Sequence, residues 1–404
     1  MSKQLKAFVL SVSVIIVIFV VVGGFGVHAS SSDGAYRQLS VYTEVLQRIR
    51  TEYVEEPNFQ AVTMGALHGL LESLDANSSY LTPAEYKQLK DHHADGKGWI
   101  GATVSKRFGY AAVVSVLPNS PAEKAGLQTG DILESIEGRS SREMPLAQIH
   151  TYLYGQPGST VNFSVVRPGK AEPQKMAVQR EAINLPAISE KVLEENIGYL
   201  QPFTLTKGKA GELANDIKQL QKQGAKKLLL DLRNVAEGDP QEGIAVANLF
   251  LNHGTIAYLQ GQKYPRENFT ADPQKAVTNL PLVVMVNRGT SGAAEIVAAA
   301  VLENARGDVL GDKTFGSGSI QKTIDIPDGS ALILSVAKYY SPGGKSIEDA
   351  AVTPNILVAS ADDDVALPDD EDGAAAAAPE PKQPKTPQTD EQLKRAITVL
   401  KNHA

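Results

Sequence analysis

Between Leu185 and Leu357, short unbroken apolar runs take turns with helical patterns, and no other feature narrows the possible folds so tightly. Ile197–Leu200, Lys227–Leu232, Leu282–Val286 and Val309–Leu310 have the length and side chains of strands. Lys207–Lys222, Glu242–Leu251 and Ala293–Leu302 carry apolar residues at helical spacing. Strands that are apolar throughout are buried on both faces, which is the condition of a parallel sheet flanked by helices. Residues 184–359 are therefore expected to form an α/β core. Lys322–Ile326 and Ala331–Tyr339, either side of Pro327-Asp328-Gly329, are expected to form a hairpin.

With 404 residues, the chain exceeds what a single core usually supports. Residues 36–97 read as helical, with Leu39, Val45, Leu46, Ile49 and Tyr53 near helical spacing. From residue 98 to 183 the pattern changes to short β-rich runs broken by Gly and Pro. Val113–Leu117 reads as a strand, and Ser120 as the cap of a short helix with Pro121 at its first position and Glu123 completing a capping box. Gly130-Asp131 opens a further strand, Val161–Val166 forms another, and one helix carries Leu146, Ile149 and Leu153 on one face.

The two ends differ from the body. Lys3 and Lys6 precede Ala7–Val27, 21 residues without a charge. As a helix these span roughly 30 Å, the hydrocarbon thickness of a bilayer. Residues 1–35 are therefore expected to form a membrane anchor. The short basic flank stays in the cytoplasm and the body lies outside it, in the cell envelope. The alternative is a signal peptide cleaved after Val27-His28-Ala29, giving a secreted body. Residues 360–389, with their acidic, alanine and proline tracts, cannot bury enough apolar surface to offset ordering and are expected to be a disordered linker. Residues 390–404 form a short helix capped by Asp390, with Leu393, Ile397 and Leu400 suited to docking on the body.

The formal charge is −7, and Asp362–Asp372 alone holds seven carboxylates, so the body is near neutral and nucleic-acid binding is not expected. There is no cysteine, and the adjacent pair His92–His93 cannot converge on one metal, so no metal or cofactor is expected. Arg233 beside Asp231 reads as an ion pair at a strand end.

The run Ser120-Pro121-Ala122-Glu123-Lys124-Ala125-Gly126-Leu127, continuing to Gly138, resembles a PDZ domain of the kind found in bacterial proteases. That resemblance implies binding of an extended peptide as an added strand, its terminal carboxylate held by loop N–H groups. The loop would be Trp99-Ile100-Gly101. The groove would lie between Ala102–Val104 and the helix bearing Ile149 and Leu153, and the partners would be protein or peptide C-termini.

Residues 36–357 resemble the carboxyl-terminal processing (tail-specific) serine peptidases. The resemblance rests on Ile197–Phe203, Leu228–Asn234, Val284–Asn304, Gly311–Gln321 and the run ending at Ile356. In that family a serine at a strand-to-helix junction is the nucleophile, a lysine takes its proton and a glutamine orients the lysine. A serine hydroxyl needs such a base, and lysine serves only when its pKa is depressed. Here the nucleophile position is Gly292, followed by Ala293, and the base position is Ser317. The glutamine is kept as Gln321. Glu237 stands where a family glycine helps line the oxyanion hole, placing a carboxylate beside a developing negative charge. The resemblance therefore implies a degenerate member, a scaffold or regulator of protein tails with an active homologous peptidase as a candidate partner. The alternative is an active serine endopeptidase using Ser291 or Ser317.

Overall fold

In this computed structural model the structure describes residues 33–95, 98–107, 109–167, 170, 172–359 and 390–402. Among the described residues no helix is long and apolar enough to cross a membrane. That finding overturns the expected envelope protein with a transmembrane anchor. The expectation rested on Ala7–Val27, a run that lies outside the described residues, as does the expected linker 360–389.

The chain divides into two units, one up to Ala66 and one from Leu67. The first holds α1 (Asp33–Glu52) and most of α2 (Phe59–Glu72). On α1, Arg48 bonds Glu44 at 2.8 Å and also Glu52, one turn away on either side.

The second unit begins with the end of α2. The Asp75 carboxylate accepts the Asn77 and Ser78 N–H groups at 2.9 and 2.7 Å, closing a turn before β1 (Ser79–Leu81). Thr82 and Glu85 then cap α3 (Pro83–Asp95) reciprocally: Thr82 N–H donates to Glu85 Oε2 at 3.0 Å, and Glu85 N–H to Thr82 Oγ1 at 3.2 Å.

A β-rich domain follows, with β2 (Gly98–Trp99), β3 (Ala102–Arg107) and β4 (Tyr110–Val116). The short helix α4 (Pro121–Lys124) leads to β5 (Ile132–Ile136), β6 (Arg139–Ser140), α5 (Leu146–Leu153), β7 (Tyr154–Gly155), β8 (Thr160–Val166) and β9 (Gln174–Gln179). The sheet order is β3-β4-β5-β8-β9, so β3 is an edge. Ser120 Oγ accepts the Glu123 N–H at 3.2 Å as a cap should, whereas the Glu123 carboxylate reaches past Ser120 to the Asn119 N–H at 2.6 Å. Arg167, at the end of β8, grips Asp131 with two bonds of 2.7 Å and locks the turn into β5.

The core sheet comprises β10 (Ser189–Leu193), β11 (Ile197–Gln201), β12 (Lys227–Asp231), β15 (Leu282–Val286), β16 (Asp308–Gly311) and β19 (Ile356–Leu357), side by side in that order. Pairing is parallel from β11 to β19, and β10 closes one edge antiparallel. On one face Leu228, Leu230, Val284 and Val309 are packed with side chains of α6 (Lys209–Lys222), α7 (Pro240–Phe250) and α8 (Ala293–Glu303). On the other, Tyr199, Leu229, Val283, Met285 and Leu310 are covered by Ala396 and Leu400 of α10 (Glu391–Asn402), with Leu393 and Ile397 at its margin. Arg233 joins this helix to the sheet, pairing with Asp231 at 2.7 Å and with Asp390 at 2.8 Å. Asp231 also accepts the Tyr199 hydroxyl at 2.8 Å.

A second, antiparallel sheet contains β13 (Thr255–Gln260), β14 (Glu267–Thr270), β17 (Ser319–Asp325) and β18 (Ala331–Tyr340). The last two form the expected hairpin, closed by the Ile326 N–H to Ser330 carbonyl bond of 2.9 Å. Strand β1 also joins this sheet by pairing with β18, so the segment 75–81 is built into the core region. The short helix α9 (Ile347–Ala350) sits beneath β18.

Candidate functional site

Strand β15 ends at Val286, and the turn that follows delivers the chain to α8. Thr290 Oγ1 accepts the Asn287 N–H at 3.0 Å and donates to the Leu232 carbonyl at 2.8 Å. Asn287 Oδ1 accepts the Asn234 N–H at 2.9 Å. The Ser291 N–H donates to the Val235 carbonyl at 2.9 Å. These bonds lock the helix entrance against the loop 231–238.

Gly292 stands at that entrance with φ 61° and ψ −116°, a conformation that costs an L side chain energy. A Cβ built there would meet only the Ser317 carbonyl oxygen, at 4.0 Å. The two positions expected from the resemblance to carry the nucleophile and the base, Gly292 and Ser317, are thus close in space, and they hold a glycine and a serine. Neither Ser291 Oγ nor Ser317 Oγ has a hydrogen-bond partner among the described residues, and Ser291 is buried at 6% exposure. Gln321 Nε2 donates to Ser319 Oγ at 2.8 Å and Ser335 Oγ at 3.3 Å, so its amide orients serines and no lysine. Ala293 is buried, its carbonyl so close to Gly243 of α7 that a Cβ on that glycine would lie 2.4 Å away.

Glu295, one turn into α8, holds the two loops together. Its fully buried carboxylate accepts the Gly292 N–H at 2.9 Å, the Gly316 and Ser317 N–H groups at 2.8 Å each, and the Thr314 hydroxyl. Burial pushes it up to about 7, against the downward pull of these four bonds. From the far side, Gly318 N–H donates to Glu348 at 2.6 Å, and Asn77 Nδ2 bridges Glu348 and Ser319 at 3.0 Å each. Burial raises Glu348 as well.

Glu237 lies in the loop beside α8. Its carbonyl accepts the Leu205 N–H at 2.8 Å, and a Cβ on the next residue, Gly238, would lie 3.1 Å from the Ala293 Cβ. Its carboxylate has no hydrogen-bond or ionic partner among the described residues, and burial raises its pKa.

The residues expected to bind peptide are all buried. Trp99, Ile100, Ala102, Val104, Ile149 and Leu153 belong to the core of the β-rich domain. Gly101 has φ +82° and sits where a Cβ would be 2.2 Å from Ser120 Cβ, so no other residue fits. The Trp99 N–H donates to the Glu181 carbonyl at 2.9 Å and the Ile100 N–H to the Leu153 carbonyl at 3.3 Å. His150 Nε2 bonds the Val104 carbonyl at 3.0 Å, tying α5 to the edge strand β3, and burial lowers the histidine pKa. Tyr154 stacks on Trp99 with centroids 5.8 Å apart. Its hydroxyl pKa is raised first by burial and then by the charge of Glu237, which places the end of this domain beside the core loop. Ser115 Oγ of β4 donates to the Asn234 carbonyl at 2.6 Å in the same junction.

Sequence reasoning missed Glu295, His150, Tyr154 and Asn77. Glu295 left one signal: an acidic residue three places after a helix start, the capping-box spacing. Among the described residues no group of His, Asp and Glu is placed to hold a metal ion.

The model for peptidase family S41 matches residues 196–358, and that for a PDZ domain matches residues 113–167. A carboxy-terminal-processing protease of Bartonella bacilliformis is 31% identical over 334 residues, covering 81% of this chain and 77% of the relative. A carboxyl-terminal-processing protease of Picosynechococcus is 33% identical over 321 residues, covering 77% and 76%. The chain belongs to peptidase family S41. A solved structure, the photosystem II D1 C-terminal processing protease, superposes on this S41 chain with a TM-score of 0.65 at 25% identity, covering 79% of this chain and 86% of that one. The expected α/β peptidase core, PDZ domain and helical N-terminal region are those of the S41 proteases.

Proposed function

We propose that this S41 chain binds protein C-termini or partner proteins without cutting them, as a scaffold or as a regulator of an active homologue. One observation carries the reading: Gly292 and Ser317 face each other across an intact frame that holds neither a nucleophile nor a base. Losing a nucleophile of this kind costs on the order of 10⁶ in turnover elsewhere. The Glu237 carboxylate beside the oxyanion position weakens what remains. The PDZ domain and the C-terminal processing relatives support binding of protein tails. Such a tail adds to the free edge of β3, where it displaces His150 from the Val104 carbonyl.

A second reading, a working endopeptidase using Ser291 or Ser317, is favoured by relatives that are named proteases along most of the chain. A fluorophosphonate probe and a casein assay separate the two. The binding reading expects no labelling and no cleavage. Activity that disappears in Ser291→Ala or Ser317→Ala refutes it.

A further inference from the structure

Helix α1 is long, amphipathic and almost bare. Between residues 38 and 52 only Leu46 and Ile49 are half-buried, and every other residue is exposed. Leu39 at 61%, Val41, Tyr42, Val45 and, just past the helix end, Tyr53 at 62% lie open to solvent. Leu39, Tyr42, Leu46, Ile49 and Tyr53 follow one another at intervals of three, four, three and four residues, so they form one stripe along the helix. Val45 widens it. Glu44, Arg48 and Glu52 lie on the opposite face, where Arg48 bonds both carboxylates. The stripe itself carries no charge. Such a helix is poorly stable alone. Val41, Thr43, Val45, Ile49 and Thr51 are β-branched, which lowers helix propensity, and helices in proteins owe most of their stability to packing of the apolar face.

We propose that the stripe on α1 packs against the same stripe of a second copy of this chain. Three properties select that partner. Alternating intervals of three and four residues are the pattern by which two like helices interlock, knobs into holes. An uncharged stripe meets its own copy without like-charge repulsion. The stripe with Val41 and Val45 exposes roughly 600 Å², so two copies would bury about 1,200 Å², the lower bound for a specific, stable pair. Leu46 stands midway between Leu39 and Tyr53, so in a fully overlapped pair it faces its own counterpart whether the helices run parallel or antiparallel. The inference goes beyond the reading of the cleft and holds whether or not the chain cuts peptides.

The test uses the full-length protein in sedimentation velocity between about 1 and 100 µM, bracketing the micromolar affinity that an interface of this size supports. The sedimenting mass is expected to double across that range. The variant Leu46→Glu with Ile49→Glu, which puts charge into the stripe, is expected to stay a single chain throughout. A second measurement does not depend on how that variant folds. The chain has no cysteine, so Leu46→Cys supplies its only thiol. A bismaleimide linker is expected to join two copies of Leu46→Cys and to leave Arg48→Cys, on the opposite face, mostly unlinked. A wild type that stays a single chain at every concentration overturns the proposal, whether the stripe is left open or kept for a different protein. So does a doubled mass that survives both glutamates, or linkage through position 46 no greater than through position 48.

Discussion

Four donors converge on the Glu295 carboxylate, and through it the helix entrance and the loop 314–317 keep their relative positions. Burial raises the group from 4.5 to about 7, so the folded chain binds this proton more tightly than the unfolded chain does. Its contribution to stability is complete below about pH 4.5 and is lost as the pH rises through 7. Urea unfolding between pH 5 and 8 is expected to show a decline of about 3 kcal/mol in the wild type that is absent in Glu295→Gln. Equal slopes would show that the four bonds, and not burial, dominate. Positions 292, 317 and 237 stood out in the sequence because each departs from a motif of the family that the chain resembles. The roles of Glu295 and His150 were not, since both act on groups that only tertiary packing brings near.

The elements differ in how openly the sequence declared them. Strands β11, β12, β15 and β16 announced themselves because burial on both faces leaves a run apolar at every position. Strand β1 did not: three residues after a polar turn carry no periodicity, and only pairing with β18 makes them a strand. The pairing of α5 with β3 was readable, but its closure by His150 was not. In His150→Ala the Val104 carbonyl is freed, so peptides with a free C-terminus should bind severalfold more tightly while the protein loses about 1–2 kcal/mol. Titration calorimetry and thermal melting check the two parts, and unchanged affinity would mean that the edge is closed by something other than this bond. Helix α10 makes a second case. Deleting residues 390–404 uncovers Tyr199, Val283 and Met285 and strips Asp390 from Arg233. A loss of about 3–5 kcal/mol and new binding of a hydrophobic dye are expected, read by urea unfolding and fluorescence.

At the scale of the molecule, the PDZ domain, the loop 231–238 and the helix entrance meet through Ser115, Asn234, Val235 and Ser291. These bonds hold the S41 core and the PDZ domain together at the helix entrance. Gly292→Ser with Ser317→Lys is expected to gain slow labelling by fluorophosphonate, and Glu237→Gly added to the pair should raise it further by relieving the oxyanion position. No labelling of the triple variant would show that the frame itself has drifted. The placement of α10 has a consequence for biosynthesis. The strands it covers are made first, and the intervening tract must be translated before their cover emerges. At about 5–20 residues per second a nascent chain displays that greasy surface for seconds, long enough for chaperones to engage it.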